Sequence, residues 1–187
     1  MKHGILYSSE HLPDRCVYKS DCDFAVTLFK YTVMKAIVPV LQFVLISFLV
    51  GYISMLMQRE SLIMWYPTLV KSSLTPPGNV FAIVWGVLYL LMGISAGIVW
   101  NTRTVYSWVL ILLFLVQLAL NLLWSFSFFY MQSPVMGFAV LVVLFMVVIL
   151  YAAGSYTQNR WAAIMNIPYL LWLLFAGYLN WYVVMNN

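Results

Sequence analysis

Charge is scarce in this chain and, where the chain is most apolar, absent. Only 7% of its 187 residues are charged against 65% hydrophobic, and five long stretches hold no Asp, Glu, Lys, Arg or His. An ionisable group in the bilayer interior usually marks an ion path or a proton relay, so this lack argues against a pump or a proton-coupled carrier. Histidine is just as short. His3 and His11 both lie near the N-terminus, which removes a histidine-ligated haem and leaves acid–base or nucleophilic catalysis without its usual players. The two cysteines, Cys16 and Cys22, fall in the same polar tail with no second pair to complete a tetrahedral site. No metal site, no required cofactor and no catalytic residue is therefore expected.

What is present is apolar. A mean hydropathy of +0.95 lies far outside the range of soluble domains. Crossing about 30 Å of hydrocarbon takes about 20 helical residues, and five uncharged runs qualify, at approximately 36–57, 80–100, 105–131, 135–153 and 162–184. The sequence predicts an all-α integral membrane protein, a multi-pass bundle of five transmembrane helices, placed in a bacterial cell membrane. Asn101-Thr102-Arg103, Gln132-Ser133-Pro134 and Gln158-Asn159-Arg160 are tight links, so the helices they join lie antiparallel and adjacent. The 22 residues from Gln58 to Asn79 are the one connection long enough to fold over an end of the bundle, and residues 58–79 read as a lid stiffened by Pro76 and Pro77. Residues 1–35 lack the basic start and apolar core of a secretory signal. They read as a poorly ordered polar tail, or as sequence upstream of a start at Met34, leaving 36–187 as the membrane domain. Lys2, Arg15, Lys19, Lys30, Lys35, Arg103 and Arg160 fall on one side of the predicted topology and Arg59 and Lys71 on the other, which points the N-terminus to the cytoplasm. The net charge of +4 thus speaks to orientation and lipid headgroups, not to nucleic acid.

Three spans carry one unusual face each. On the third, Gln117, Asn121, Trp124, Ser125 and Phe128 recur at helical spacing on a helix otherwise Leu, Val and Phe. The fifth repeats the pattern with Tyr169, Trp172, Ala176 and Asn180; the second has Trp85 and Tyr89 followed by Gly93 and Gly97. Trp65, Trp100, Trp108 and Trp161 stand near span ends, where tryptophan belts the interface. Trp85, Trp124 and Trp172 share faces with small or polar residues, which a pocket needs and a lipid face does not. The Gly93/Gly97 pair suits tight helix packing or dimerisation. The fourth span shows no mid-helix polar group and is expected to be structural and lipid-facing.

Taken in order, Trp65-Tyr66, Lys71, Thr75-Pro76-Pro77-Gly78, Val84-Trp85-Gly86-Val87-Leu88-Tyr89, Met92-Gly93, Gln117-Leu118-Ala119-Leu120-Asn121, Trp124-Ser125, Phe128-Phe129, Pro168-Tyr169-Leu170-Leu171-Trp172, Phe175-Ala176 and Leu179-Asn180 resemble the translocator protein family. Its members are also called TspO/MBR proteins, tryptophan-rich sensory proteins or peripheral benzodiazepine receptors. The resemblance covers roughly residues 36–187. It implies a five-helix bundle, often a homodimer, whose cavity beneath the first loop binds porphyrins such as protoporphyrin IX, isoquinoline and benzodiazepine drugs and, in animals, cholesterol. It further implies that Trp85, Tyr89, Asn121, Trp124, Ser125, Trp172, Ala176 and Asn180 line the pocket, with Phe128 on the same stripe and Trp65, Tyr66, Pro76 and Pro77 in the lid. Two departures stand out. Ser72-Ser73-Leu74 replaces the family's Pro-Ser-Trp before the double proline, removing a lid aromatic, and no basic residue follows Tyr182, which argues against cholesterol.

The leading expectation is a membrane receptor or regulator for tetrapyrroles or other apolar small molecules. Two alternatives stand beside it: light- or oxygen-dependent porphyrin breakdown with Trp124 and Trp172 as electron donors, and facilitated passage of porphyrin or sterol through an uncharged interior.

Overall fold

The structure, a computed structural model, describes the backbone of residues 19–187 and side chains from Thr27 onward, Phe29 excepted. His3, His11 and Cys16 lie outside the described residues, as does the side chain of Cys22. The chain divides into two units at Lys35–Ala36, and the second of them, residues 36–187, holds the membrane bundle.

The architecture is helical: α1 (Lys19–Met64), α2 (Gly78–Thr102), α3 (Ser107–Ser125), α4 (Pro134–Gln158), α5 (Arg160–Ile164) and α6 (Ile167–Asn186), with no strand among the described residues. Five segments are long and apolar enough to cross a membrane, Lys30–Met64, Gly78–Thr102, Ser107–Tyr130, Pro134–Gln158 and Arg160–Asn186. The protein is a multi-pass integral membrane protein. The apolar runs form helices because a bilayer offers the backbone no other partner, so each N–H and C=O must be satisfied within its own segment.

Three boundaries differ from the sequence expectation. The first helix continues through Gln58, Arg59 and Glu60 to Met64; these residues are polar but good helix formers, so hydrocarbon ends before helix does. The lid is correspondingly shorter, running over 65–77 and holding a single 3₁₀ turn at Tyr66–Thr68. The fifth span is broken. Asn159 caps α5 by accepting from the Trp161 and Ala162 amides, and Pro168, without an N–H, forces a new start at Ile167. The third span ends in a π-helical turn, Phe126–Tyr130, where Met131 N bonds Phe126 O at 2.8 Å. That widened turn aims both Phe128 and Phe129 into the core, each 4% exposed.

The fourth span keeps a wide apolar face exposed, with Val142, Val143, Met146 and Leu150 on it, and packs the other face inward. α4 lies against both α3 and α6, Leu144 and Val148 are fully buried, and Tyr151 OH shares a 3.0 Å hydrogen bond with Ser95 Oγ on α2. One face of this helix is core. Ser95 also donates to Ala162 O at 2.8 Å, and Asn166 Nδ2 reaches Ser95 Oγ at 3.0 Å, so α2, α4 and the α5–α6 break meet in one buried polar knot. Gly93 and Gly97 face α1: a Cβ at Gly97 would stand 2.5 Å from Val40 Cα, and one at Gly93 would collide with Val44. The glycine pair therefore serves close packing inside the chain.

Candidate functional site

A cavity of about 350 Å³ opens between α1, α2 and α3. From α2 come Phe81, Trp85 and Tyr89, and from α3 Asn121, Trp124 and Ser125. The wall from α1, comprising Phe48, Gly51, Tyr52, Ser54, Met55 and Gln58, is one the sequence reading missed. A signal was there. Ser47, Gly51, Ser54, Gln58 and Ser61 recur at i, i+4, i+7, i+11 and i+14, one small and polar face of a helix. Ser47, Ser54 and Ser61 are all buried, and Ser61 donates to Phe129 O at 2.6 Å.

A second, much smaller space of about 40 Å³ lies beneath the lid, lined among others by Tyr66, Thr75, Phe128, Ala176 and Asn180. Phe81 and Trp124 line both spaces. The residues singled out from sequence therefore divide. Trp85, Tyr89, Asn121, Trp124 and Ser125 meet at the larger cavity; Phe128, Ala176 and Asn180 meet at the smaller one. Trp172 lines neither, though its ring packs against Phe81 at 5.5 Å. In the lid, Trp65 sits edge-on to Phe128 at 5.6 Å. Pro77 precedes α2 and its carbonyl accepts from Phe81 N at 3.1 Å. Pro76 is its neighbour in the chain and touches neither space.

Aromatic surface dominates the site. Trp85 and Trp124 are stacked at 6.2 Å and 24°, and Trp124 and Phe128 at 5.8 Å and 25°. These three rings form a slab separating the two spaces. Its orientation is fixed by hydrogen bonds: Trp124 Nε1 donates to Asn180 Oδ1 at 3.2 Å, and Asn180 Nδ2 donates to Pro134 O at 2.7 Å. Gly137 permits this approach, since a Cβ there would stand 3.0 Å from Phe128 and 3.1 Å from Asn180 Oδ1.

Polar groups are few and uneven in their satisfaction. Asn121 Nδ2 donates to Tyr169 OH, leaving its Oδ1 with no bond to the described residues. Gln58 Nε2 donates to Ser125 Oγ at 2.8 Å. Trp85 Nε1 is buried and has no partner, as are both amide atoms of Gln117 deeper on α3. No charged residue lines either space, and among the described residues no cluster of His, Cys, Asp or Glu could hold a metal ion. In the lid, burial pushes the Tyr66 phenol above its ordinary value. Chemically, this arrangement can hold a flat apolar molecule by burial and ring stacking, with Asn121 as the amide nearest to it.

The model of the TspO/MBR family matches residues 43–185. The chain is 39% identical over 127 residues to a tryptophan-rich protein TspO of Chlorobaculum tepidum, covering 66% of this chain and 79% of that protein. It is 33% identical over 138 residues to the TspO of Archaeoglobus fulgidus, covering 74% and 90% respectively. To the translocator protein of Bos taurus it is 33% identical over 161 residues, covering 80% and 90%. Such membership supports a membrane receptor or regulator role. With the family model spanning most of the membrane domain and relatives matched over most of their own length, the chain belongs to the TspO/MBR family.

Proposed function

We propose that the protein is a membrane receptor or regulator whose α1–α2–α3 cavity takes a flat, polycyclic, apolar ligand of the tetrapyrrole class, protoporphyrin IX being the representative compound. The observation that carries this reading is the Trp85–Trp124–Phe128 slab beside an uncharged cavity. Trp85 and Trp124 both line the cavity with near-parallel rings, and an aromatic wall of this kind suits a planar macrocycle better than a branched lipid chain. At about 350 Å³ the cavity is at the lower end of small-molecule sites. A macrocycle would be held by one face and edge, with its acidic substituents reaching the headgroup region near exposed Arg59, one residue beyond the cavity-lining Gln58. Isoquinoline-type drugs, smaller and also planar, fit the same chemistry. The buried, unpartnered Trp85 Nε1 supports a ligand that carries a hydrogen-bond acceptor.

The test is quenching of tryptophan fluorescence by protoporphyrin IX in the dark, on detergent-purified protein, with Trp124→Ala and Asn121→Leu alongside wild type. Saturable micromolar quenching that weakens in both variants is the expected result. Weak quenching, identical in all three, would mean the ligand is of another class. Illumination of the wild-type complex separates the alternatives: an intact porphyrin means binding, a new product means breakdown, and movement between vesicle compartments means transport.

A further inference from the structure

At the end of the bundle opposite the lid, a separate cavity of about 270 Å³ is lined by Trp100, Arg103, Thr104, Ser107 and Trp108. Arg103 closes α2 in the left-handed conformation (φ 51°, ψ 34°), a position at which Gly or Asn is the usual occupant. Its guanidinium is exposed and forms no hydrogen bond or ion pair with the described residues. Trp100 and Trp108 meet edge-to-face at 4.8 Å and 82°, and neither indole N–H has a partner among the described residues. Trp108 is 68% exposed. Beside the cavity, Gln158 Oε1 accepts from Thr102 Oγ1 at 2.7 Å and from Ser107 Oγ at 3.2 Å, while Gln158 Nε2 is buried without a partner.

The unpaired side-chain polar groups lining this cavity, the Arg103 guanidinium and the two indole N–H groups, are thus donors, and one of them is a cation. Nothing in the membrane domain can neutralise it. Within residues 36–187 the sole acidic side chain is Glu60, near the lid end of α1, whereas Arg103 lies two residues after Asn101, whose amide reaches Ala36 O at 2.8 Å near the other end. A matching ligand brings acceptors only, carries negative charge and sits where helices leave the hydrocarbon. A guanidinium fork with flanking indole N–H groups meets that description in a phosphodiester, and paired tryptophans at a span end belong at headgroup depth.

We propose that this cavity is a binding site for the phosphodiester headgroup of an anionic phospholipid, with Arg103 as the charge partner and Trp100 and Trp108 as the walls. Arg160 provides the comparison. It lies at the same end, since Gln158 bonds Thr102, but it is stacked over Trp161 at 5.3 Å and lines none of these cavities.

The experiment uses the full chain in detergent, with short-chain phosphatidylglycerol, phosphatidylcholine and inorganic phosphate as probes. Bound lipid is counted by native mass spectrometry and affinity read from tryptophan fluorescence. Asn tolerates the left-handed backbone, so Arg103→Asn keeps the fold, which a melting curve checks. The expected result is saturable phosphatidylglycerol binding that falls about tenfold in Arg103→Asn and is unchanged in Arg160→Asn, with no competition from phosphate. Equal weakening in both variants would overturn the site in favour of diffuse surface charge. Full competition by inorganic phosphate would overturn the lipid assignment, and unchanged binding in Arg103→Asn would overturn the proposal outright.

Discussion

Gln58 on α1 donates through Nε2 to Ser125 Oγ on α3 at 2.8 Å, and both residues line the larger cavity. Ser61 Oγ, donating to Phe129 O at 2.6 Å, is a second polar link between the first and third spans close by. In lipid such bonds contribute about 0.6 kcal/mol on average, with an upper limit near 1.7. Gln58→Leu is therefore expected to cost about 1 kcal/mol of stability, and Ser125→Ala in the Gln58→Leu background to cost little more. A double-mutant cycle by unfolding in mixed micelles measures this coupling. Independent, additive losses would mean that the two side chains do not act as a pair.

Gly97 makes a prediction about assembly as well as stability. A side chain there meets Val40 backbone at 2.5 Å, with the rigid α1 helix behind it. Gly97→Leu is expected to lose about 1–3 kcal/mol, as overpacked sites do, while leaving the number of copies per particle unchanged. Thermal melting and light scattering after size exclusion read the two effects separately. A particle that loses a subunit while each copy keeps its stability would place this glycine at a contact between copies.

The bundle was legible because its solvent is hydrocarbon. A run of about 20 uncharged residues has few structural options there, so the spans could be located without any knowledge of packing. The α1 wall of the cavity was not, because serine and glycine inside an apolar run read as background; Gly51 acquires meaning only from Tyr89 lying 2.5 Å from where its Cβ would be. The split into two spaces was equally hidden. Helical spacing put Asn121, Trp124, Ser125 and Phe128 on one stripe, but the π turn after Ser125 rotates Phe128 away from Ser125 toward the lid. Trp124, with Phe81, is left between them. The break at Asn166 was masked by its flanks, since α5 and α6 are both apolar.

Trp85→Phe separates stability from binding. Its Nε1 is buried without a partner, so removing the N–H relieves an unsatisfied donor while the ring remains to stack on Trp124. The variant is expected to be as stable as wild type, or more stable by about 1 kcal/mol. Its affinity for a planar ligand bearing an acceptor is expected to fall about five- to tenfold. Titration of protoporphyrin IX against both proteins decides it; tighter binding by the phenylalanine variant would show that the indole N–H faces no ligand acceptor.

Tyr66 makes the lid sensitive to high pH only. Burial raises its phenol above 10.0, so the folded lid holds a proton that the opened lid releases more readily. The stability this lends is complete below pH 10 and is lost as pH rises past that value. Acrylamide quenching of Trp65, which packs on Phe128 beside Tyr66, is expected to stay flat from about pH 7 to 9 and to rise above pH 10. In Tyr66→Phe the alkaline rise shrinks; an unchanged rise would assign it to another group.

The lid is also held from the far end of the chain. Val70 N donates to Asn187 Oδ1 at 2.9 Å, and Asn187 Nδ2 donates back to Val70 O at 3.2 Å and to Val183 O at 2.9 Å. Next to this clasp, Ser72 Oγ pairs with Tyr178 OH at 3.2 Å, and Lys71 Nζ is turned inward onto Tyr66 O at 2.8 Å. Lys71 is the trypsin site of the lid, and it can be cut only when the loop opens. Local opening is governed by the bonds broken in doing so, and about 1 kcal/mol for each lost bond multiplies the open population roughly fivefold. Asn187→Ala removes both bonds to Val70 and is expected to speed cleavage after Lys71 by at least that factor while leaving the melting temperature of the bundle unchanged. Cleavage at the wild-type rate would mean that the clasp does not restrain the lid, and that the Ser72–Tyr178 pair and the Lys71 contacts hold it closed.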